Sequence, residues 1–326
     1  MSVVATLNKN PVRRNTAQVG LFLIAMLLVP VVFGTGYYLN MMIFIAILAL
    51  PALGLSLLSG LAGQLAISHG AFFAIGAYGS AILSARAGLS PVLSTLLAQI
   101  LVAVIAAGIG AVVLRLRSHY LAIATLSFAI IVELVIEEWR GMTGGMQGML
   151  GIPPMGLFGY EASSDVQFYY VYWPITALML LFALNLASSR IGRALRAIRE
   201  GEPIVSSLGI HTAGYKTGIY VVSSVFAGIG GALYAHFVGF VTPATGSIMF
   251  AIEIIMVLAL GGFDRLWGAL IGVALITLLN EYALGFADYK KIILGVTLIA
   301  VMLVFPRGLL PGLIDLARHR RIARAA

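Results

Sequence analysis

The residues best equipped for chemistry in this chain lie inside apolar stretches. Gln64, Ser68 and His69 interrupt a glycine-rich run from Gly60 through Gly63, Gly70 and Gly76, with Phe72, Phe73 and Tyr78 interleaved. Glu133, His236, Glu253 and Glu281 are each embedded in mainly apolar sequence. Arg190, Arg193, Arg196 and Arg199 recur every three residues beside Ile191, Leu195 and Ile198. The histidines, at 69, 119, 211, 236 and 319, form no i, i+4 pair of the kind that binds zinc on a helix. With no cysteine, thiol nucleophiles, disulfides and thiolate metal sites are excluded. The sequence contains no Gly-x-x-x-x-Gly-Lys-[Ser/Thr] loop, no Gly-x-Ser-x-Gly elbow and no His-Glu-x-x-His. Nothing here binds ATP in the P-loop manner, so energy for any transport comes from an ion gradient or another chain.

The surroundings of these residues decide how they are read. Of 326 residues, 61% are hydrophobic and 10% charged, and mean hydropathy is +1.04. That composition cannot cover a water-facing surface, which excludes a soluble enzyme and points to an all-α polytopic membrane protein. Ten apolar stretches near the length of a bilayer crossing fall at 17–34, 38–58, 62–84, 92–114, 119–137, 168–187, 217–241, 246–262, 266–287 and 291–305. The first follows Lys9, Arg13 and Arg14, and with no small-residue cleavage site after Phe33 it reads as an uncleaved helix. The expected organisation is a tail at 1–16, a transmembrane domain at 17–305 and a basic tail at 306–326. With the N-terminus cytoplasmic, sixteen of the twenty basic residues fall on the cytoplasmic side. Both termini are then cytoplasmic, and the net charge of +8 needs no nucleic acid.

Two loops are long. The outer one, 138–167, carries Thr143, Gly144, Gly145, Pro153 and Pro154 and is expected to be irregular. The inner one, 188–216, holds an amphipathic helix with Ile191, Leu195 and Ile198 on one face and arginines on the other, started by Ser188 or Ser189 and ended by Gly201. Such a helix can lie on anionic headgroups, a membrane-lipid contact, or meet another protein.

Glycine and polar side chains at membrane depth predict that Gln64–Tyr78 is a broken or bent helix. Either it lines a pathway, with His69 as a polar contact and Phe72 and Phe73 as an apolar wall, or it packs tightly with His69 bonded across the bundle. Glu133, His236, Glu253 and Glu281 fall in the outer third of the bilayer, Glu133 reaching for the interface and Glu253 buried. The stripes Ala103/Ala107/Ala111 and Ala227/Gly231/Ala235 suit close helix contact.

Several stretches together resemble one family, the M-type membrane subunit of branched-chain (hydrophobic) amino-acid ABC importers. They include Gly60–Gln64, Ser68–Phe73, Gly76-Ala77-Tyr78, Tyr120–Leu126, Thr143-Gly144-Gly145, Gly192–Glu200, Leu208-Gly209-Ile210, Gly228–Ala235, Leu260-Gly261-Gly262 and Pro306–Leu309. The resemblance implies a second, H-type permease, two cytoplasmic ATPase subunits that hold ATP and magnesium, and an external solute-binding protein. It implies no cofactor and no metal in this chain, and a place in a bacterial inner membrane. It makes the basic helix a coupling helix with Arg190, Arg193, Ala194, Arg196, Ala197, Arg199, Glu200 and Gly209 at the ATPase contact. By the same resemblance Gln64, Ser68, His69, Gly70, Phe72, Phe73, Tyr78 and Glu253 would line the pathway, and Thr143, Gly144 and Gly145 would meet the binding protein. One departure stands out: Glu202-Pro203-Ile204-Val205-Ser206-Ser207 replaces the usual Ala-Ala after the second acid. The chain is also short for the family, the missing length falling in the N-terminal region. Urea, short amides and aromatic acids are substrates of related systems. A lone ion-coupled transporter would need a sequence repeat and paired intramembrane acids, and neither is found; a scaffold would leave His69, Gln64 and Glu253 without a task.

Overall fold

A computed structural model of the chain describes residues 11–33, 36–116, 118–157, 160–161, 164–282 and 295. With no water in the bilayer core, the backbone must satisfy itself, and helices dominate. In order they are α1 (Pro11–Phe33), α2 (Tyr37–Ala62), α3 (His69–Ala85), α4 (Pro91–Val113), α5 (Ser118–Glu138), α6 (Arg140–Thr143), α7 (Asp165–Ser188), α8 (Arg190–Ser207), α9 (Thr212–Val238), α10 (Ile248–Gly261) and α11 (Leu266–Tyr282). Four two-residue strands form two antiparallel ladders. β1 (Met149–Leu150) pairs with β4 (Phe240–Val241), and β2 (Gly156–Leu157) with β3 (Tyr160–Glu161). The outer loop is therefore more ordered than its glycines and prolines suggest.

The described residues do not confirm the count of about ten spans. Among the described residues, seven helical segments are long and apolar enough to cross a membrane. The expected third span breaks at Gly63–Ser68, leaving α3 only 17 residues long. The ninth also shortens to the 17 residues of α11, while 291–305 and the tail 306–326 lie outside the described residues, apart from residue 295. α1 starts at Pro11, inside the segment expected to be a tail.

Contacts sort the connections into two ends. At one end the last turn of α2 meets the α10–α11 turn, where the Ser56 hydroxyl donates to Phe263 O at 3.3 Å, and α8 lies across both. At the other, Arg86 donates to Gly141 O, Ile152 N–H to Gly239 O, and β1 pairs with β4. The first end holds the basic 188–216 segment and the second the 138–161 loop, the same alternation that the positive-inside rule assigns.

α2 and α9 form the centre. Tyr169, Tyr172, Tyr220, Phe72, Phe73 and Phe226 are fully buried around them. Two of these tyrosines spend their hydroxyls on helix carbonyls, Tyr172 on Leu233 O at 2.9 Å and Tyr169 on Met26 O at 2.8 Å. α3 lies on α9 with backbone nearly touching backbone: a Cβ on Gly76 would overlap Gly228 O, and one on Gly231 would overlap Phe73 O. The Ala227/Gly231/Ala235 stripe is buried in that contact. The Ala103/Ala107/Ala111 stripe is only partly covered by the described residues: Ala103 is half-buried, and Ala107 and Ala111 are exposed.

Candidate functional site

The basic cross-helix α8 starts where α7 ends. The Ser189 hydroxyl accepts from Gly192 N–H at 3.3 Å. Gly192 itself has no room for a side chain beside Leu186 O and Ala187 O, which makes glycine necessary for the tight α7–α8 corner. Leu195 and Ile198 are buried as the amphipathic pattern predicts, but Ile191 is exposed, because the corner turns it toward His211 and Tyr215. Nor does Gly201 end the helix. It breaks it, with φ −170° and ψ 84°, and a further helical stretch continues through Pro203 to Ser207.

The arginines were expected to form a free face, and three of them do not. Arg193 donates to Ser188 O at 3.1 Å and Arg196 to Ala187 O at 3.0 Å. Both engage the unpaired carbonyls at the C-terminus of α7, where the helix dipole favours a cation. Arg199 donates to Gly60 O at 2.7 Å and to the Asp264 carboxylate at 2.6 Å, joining α8 to the end of α2 and to the α10–α11 turn. Glu202 pairs with the buried Lys216 at 2.5 Å. Ala194 is half-buried, while Arg190, Ala197, Glu200 and Gly209 are exposed, Gly209 at φ 80° in the turn before α9. Sequence reasoning passed over the residues that α8 turns outward: Ile204 is 70% and Leu208 74% exposed.

Behind α8 lies a cleft of ≈ 700 Å³ lined by Gln64, Arg199, Glu200, Glu202, Lys216 and Asp264 among others. Gln64 reaches it because α2 terminates at Gly63, whose φ of 65° costs a glycine little. The chain then runs irregularly to Ser68. Ile67 N–H donates to Thr125 Oγ1 at 3.0 Å, anchoring this stretch to α5. The break foreseen in this segment is present.

Its other residues do not share that cleft. Ser68 and His69 are buried, Ser68 at 2.8 Å from the Tyr220 hydroxyl and His69 Nε2 at 2.6 Å from Ser223 Oγ. Ser223 donates its own hydrogen to Gly54 O at 2.6 Å, so His69 Nε2 carries the hydrogen that Ser223 accepts. His69 thus ties α3 to α9 and, through Ser223, to α2. Phe72 packs on Phe128 and Tyr220, Phe73 on Phe250 and Tyr234, and Gly70 against Gly246 O and Ser247 O where α10 begins. Tyr78 is buried, its hydroxyl 3.5 Å from Val241 O. Glu253 stands apart in the α10–α11 hairpin, accepting from Asn280 Nδ2 at 2.6 Å. His236, one of the four ionisable groups at the outer level, is buried between Ser80 Oγ at 2.7 Å and Pro153 O at 2.7 Å.

On the outer loop, Thr143 and Gly145 are buried. The Thr143 hydroxyl lies 2.6 Å from Ile136 O and accepts from Gly145 N–H at 3.2 Å. Gly144 and Gly145 adopt φ of 81° and 63°, so the motif shapes a turn, and its neighbours Trp139, Met146 and Leu150 carry the exposed surface. Among the described residues, no group of three or more His, Asp or Glu side chains could hold a metal.

Residues 37–302 match the model of a family described as the branched-chain amino acid transport system permease component. The chain belongs to this family. It is 32% identical over 282 residues to the high-affinity branched-chain amino acid transport system permease protein LivM of Salmonella typhimurium, and equally to LivM of Escherichia coli K12. Those alignments cover 79% of this chain but 66% of LivM, so the chain spans just under two thirds of these relatives. It is 26% identical over 287 residues to LivH of Salmonella typhimurium, covering 80% of this chain and 90% of LivH. No solved structure matches.

Proposed function

We propose that this chain is a permease subunit of an ATP-driven importer, forming half of the pathway for branched-chain or other hydrophobic amino acids. Its partners are a second permease of the H type, two cytoplasmic ATPase subunits and an external binding protein, in a bacterial inner membrane with both termini cytoplasmic. The observation that carries this reading is α8. It lies across the basic end, its exit from α7 held by Arg193 and Arg196, and it is fastened by Arg199 to the ends of two transmembrane elements. A push on such a helix moves α2 and α10 together. Its outward Ile204 and Leu208 offer an apolar contact suited to a groove on an ATPase subunit. The relatives' names support branched-chain amino acids as substrate.

The site assignments shift accordingly. Gln64, Arg199, Glu200 and Glu202 line the inner mouth, and His69, Phe72 and Phe73 set the break rather than the wall. The test is reconstitution of this chain with both partner types and the binding protein in vesicles. Leucine should stimulate ATP hydrolysis and enter the vesicles, the chain alone should hydrolyse none, and Ile204→Asp with Leu208→Asp should uncouple the two. Activity of the isolated chain sinks the reading, and rescue of the double variant by anionic lipid supports a headgroup contact for α8 instead. Stimulation by urea, acetamide or benzoate but not leucine would move the substrate class.

A further inference from the structure

The cleft behind α8 is walled by charge. On one side α8 supplies Arg199, Glu200 and Glu202; on the other stand Gln64 of the break after α2, Lys216 of α9 and Asp264 of the α10–α11 turn. Its ≈ 700 Å³ falls within the range of about 300–1,000 Å³ that small-molecule sites occupy. Both cations are only partly satisfied. The Lys216 side chain is 7% exposed, and its three ammonium hydrogens have one acceptor among the described residues, Glu202 Oε2 at 2.5 Å. Arg199 spends Nη1 on Gly60 O and Asp264 Oδ1, and among the described residues its Nε and Nη2 donate to nothing. The anions match them. Glu202 Oε1, Asp264 Oδ2 and both Glu200 oxygens accept from none of the described residues. Gly63 keeps this arrangement open, since a Cβ there would stand 2.8 Å from Arg199 Cγ.

Those unused groups define the ligand. Two bases against three acids give the lining a net charge of −1, which repels phosphate and other simple anions. A simple cation meets Lys216 and Arg199 and leaves their spare donors unused. Water holds these groups when nothing else does, so a ligand binds only if it restores the hydrogen bonds that water made. A molecule with one carboxylate and one ammonium restores both sets, its carboxylate on the basic donors and its ammonium on the spare carboxylate oxygens. The rest of the wall is apolar. Ala62, Ile198 and Phe263 suit an aliphatic side chain, which gains by leaving water. Urea and short amides bring no charge to either set.

We infer that the cleft behind α8 binds a free hydrophobic α-amino acid as its zwitterion. The inference deepens the importer reading and rests on it for the choice of leucine as the probe. The test uses the full chain in lipid nanodiscs, with single cysteines in place of Gln64 or Glu200 on the cleft, and of the exposed Ser206 outside its lining for reference. At about ten times its Kd, leucine should slow the reaction of Gln64→Cys and Glu200→Cys with methyl methanethiosulfonate about tenfold and leave Ser206→Cys unchanged. N-acetylleucine lacks the ammonium and isoamylamine the carboxylate, and each should need a concentration about tenfold higher. Protection by N-acetylleucine or inorganic phosphate as good as by leucine marks an anion site, and by isoamylamine a cation site. No protection, or equal slowing at Ser206→Cys, leaves no ligand in the cleft. Each of these outcomes overturns the proposal.

Lys216→Met with Glu202→Gln removes one ion pair without stranding a buried charge, and should weaken leucine's protection of Gln64→Cys about tenfold. Unaltered protection in a folded double variant overturns the lysine's part, and the ligand series still decides the matter if that variant does not fold. In the complete complex the protection should persist; its loss there shows a partner filling the cleft and overturns the site. Unprotected cysteines in a complex whose ATP hydrolysis responds to leucine defeat this site and leave the importer reading standing. Protection in a complex that ignores leucine does the reverse.

Discussion

Arg199 reaches Asp264 across 65 residues of sequence, its guanidinium 2.6 Å from the carboxylate, and with the same Nη1 atom it caps Gly60 O at 2.7 Å. One side chain thus holds three elements together at the basic end. The pair is partly exposed, 40% on the arginine and 62% on the aspartate, so its worth to stability is small, about 0–1 kcal/mol. Asp264→Ala should therefore leave the melting temperature nearly unchanged while lowering leucine-driven ATP hydrolysis several-fold. The charge swap Arg199→Asp with Asp264→Arg should restore little, because Gly60 O loses its donor. Full recovery in the swap would show that only the ion pair matters.

His69→Ala removes a buried hydrogen bond and opens a void where α3, α9 and α2 meet. The expected cost is about 2–4 kcal/mol. Thermal stability should fall, and transport per folded complex should not, since His69 faces Ser223 and Ala66 rather than a cavity. Slower transport at unaltered stability would return His69 to the pathway.

Glycines divide sharply by surroundings. Gly231→Ala drives a methyl into Phe73 O and should reduce the yield of folded protein severely, whereas Gly20 and Gly108 have no described residue within 4 Å of a new Cβ. Gly20→Ala and Gly108→Ala should stabilise the isolated chain by about 0.5–1 kcal/mol, as alanine does in a helix interior. Fluorescence-detected thermal stability on the three variants checks both directions.

The chain has no native cysteine, so single introduced cysteines report sidedness directly. Ser164 and Ser206 are both exposed, at the two different ends of the bundle. An impermeant thiol reagent applied outside should label Ser164→Cys and spare Ser206→Cys. Reversed labelling overturns the orientation.

Legibility in the sequence followed physical scale. Period and composition revealed the membrane class, the basic helix and the break near Gly63, because each depends on neighbours in the chain. The targets of Arg193 and Arg196 were hidden, since carbonyls left over at the end of α7 become ligands only once the corner at Gly192 brings α8 back over them. The two small-residue stripes looked alike yet met different fates, one pressed against α3 and the other left facing outward. A stripe records that something can approach, and only the fold decides what does. The exact start of α3 was not legible because a hydropathy window averages across Gly63–Ser68, where the hydrogen-bond ladder is interrupted.

The shortest of the described helices to run through the bundle has a mechanical consequence. α10 is a rod about 21 Å long, with Ser247 against Gly70 at one tip and the Asp264 turn just past the other. His69, next to Gly70, meets Ser223 near the midpoint of α9, which places that first tip beside the middle of the central helix. A helix of this length barely compresses. If the ATPase partners proposed above press on α8, Arg199 passes that displacement to Asp264 at one tip of α10, and the length of this rod sets how far from α8 its other tip, beside Gly70, would move.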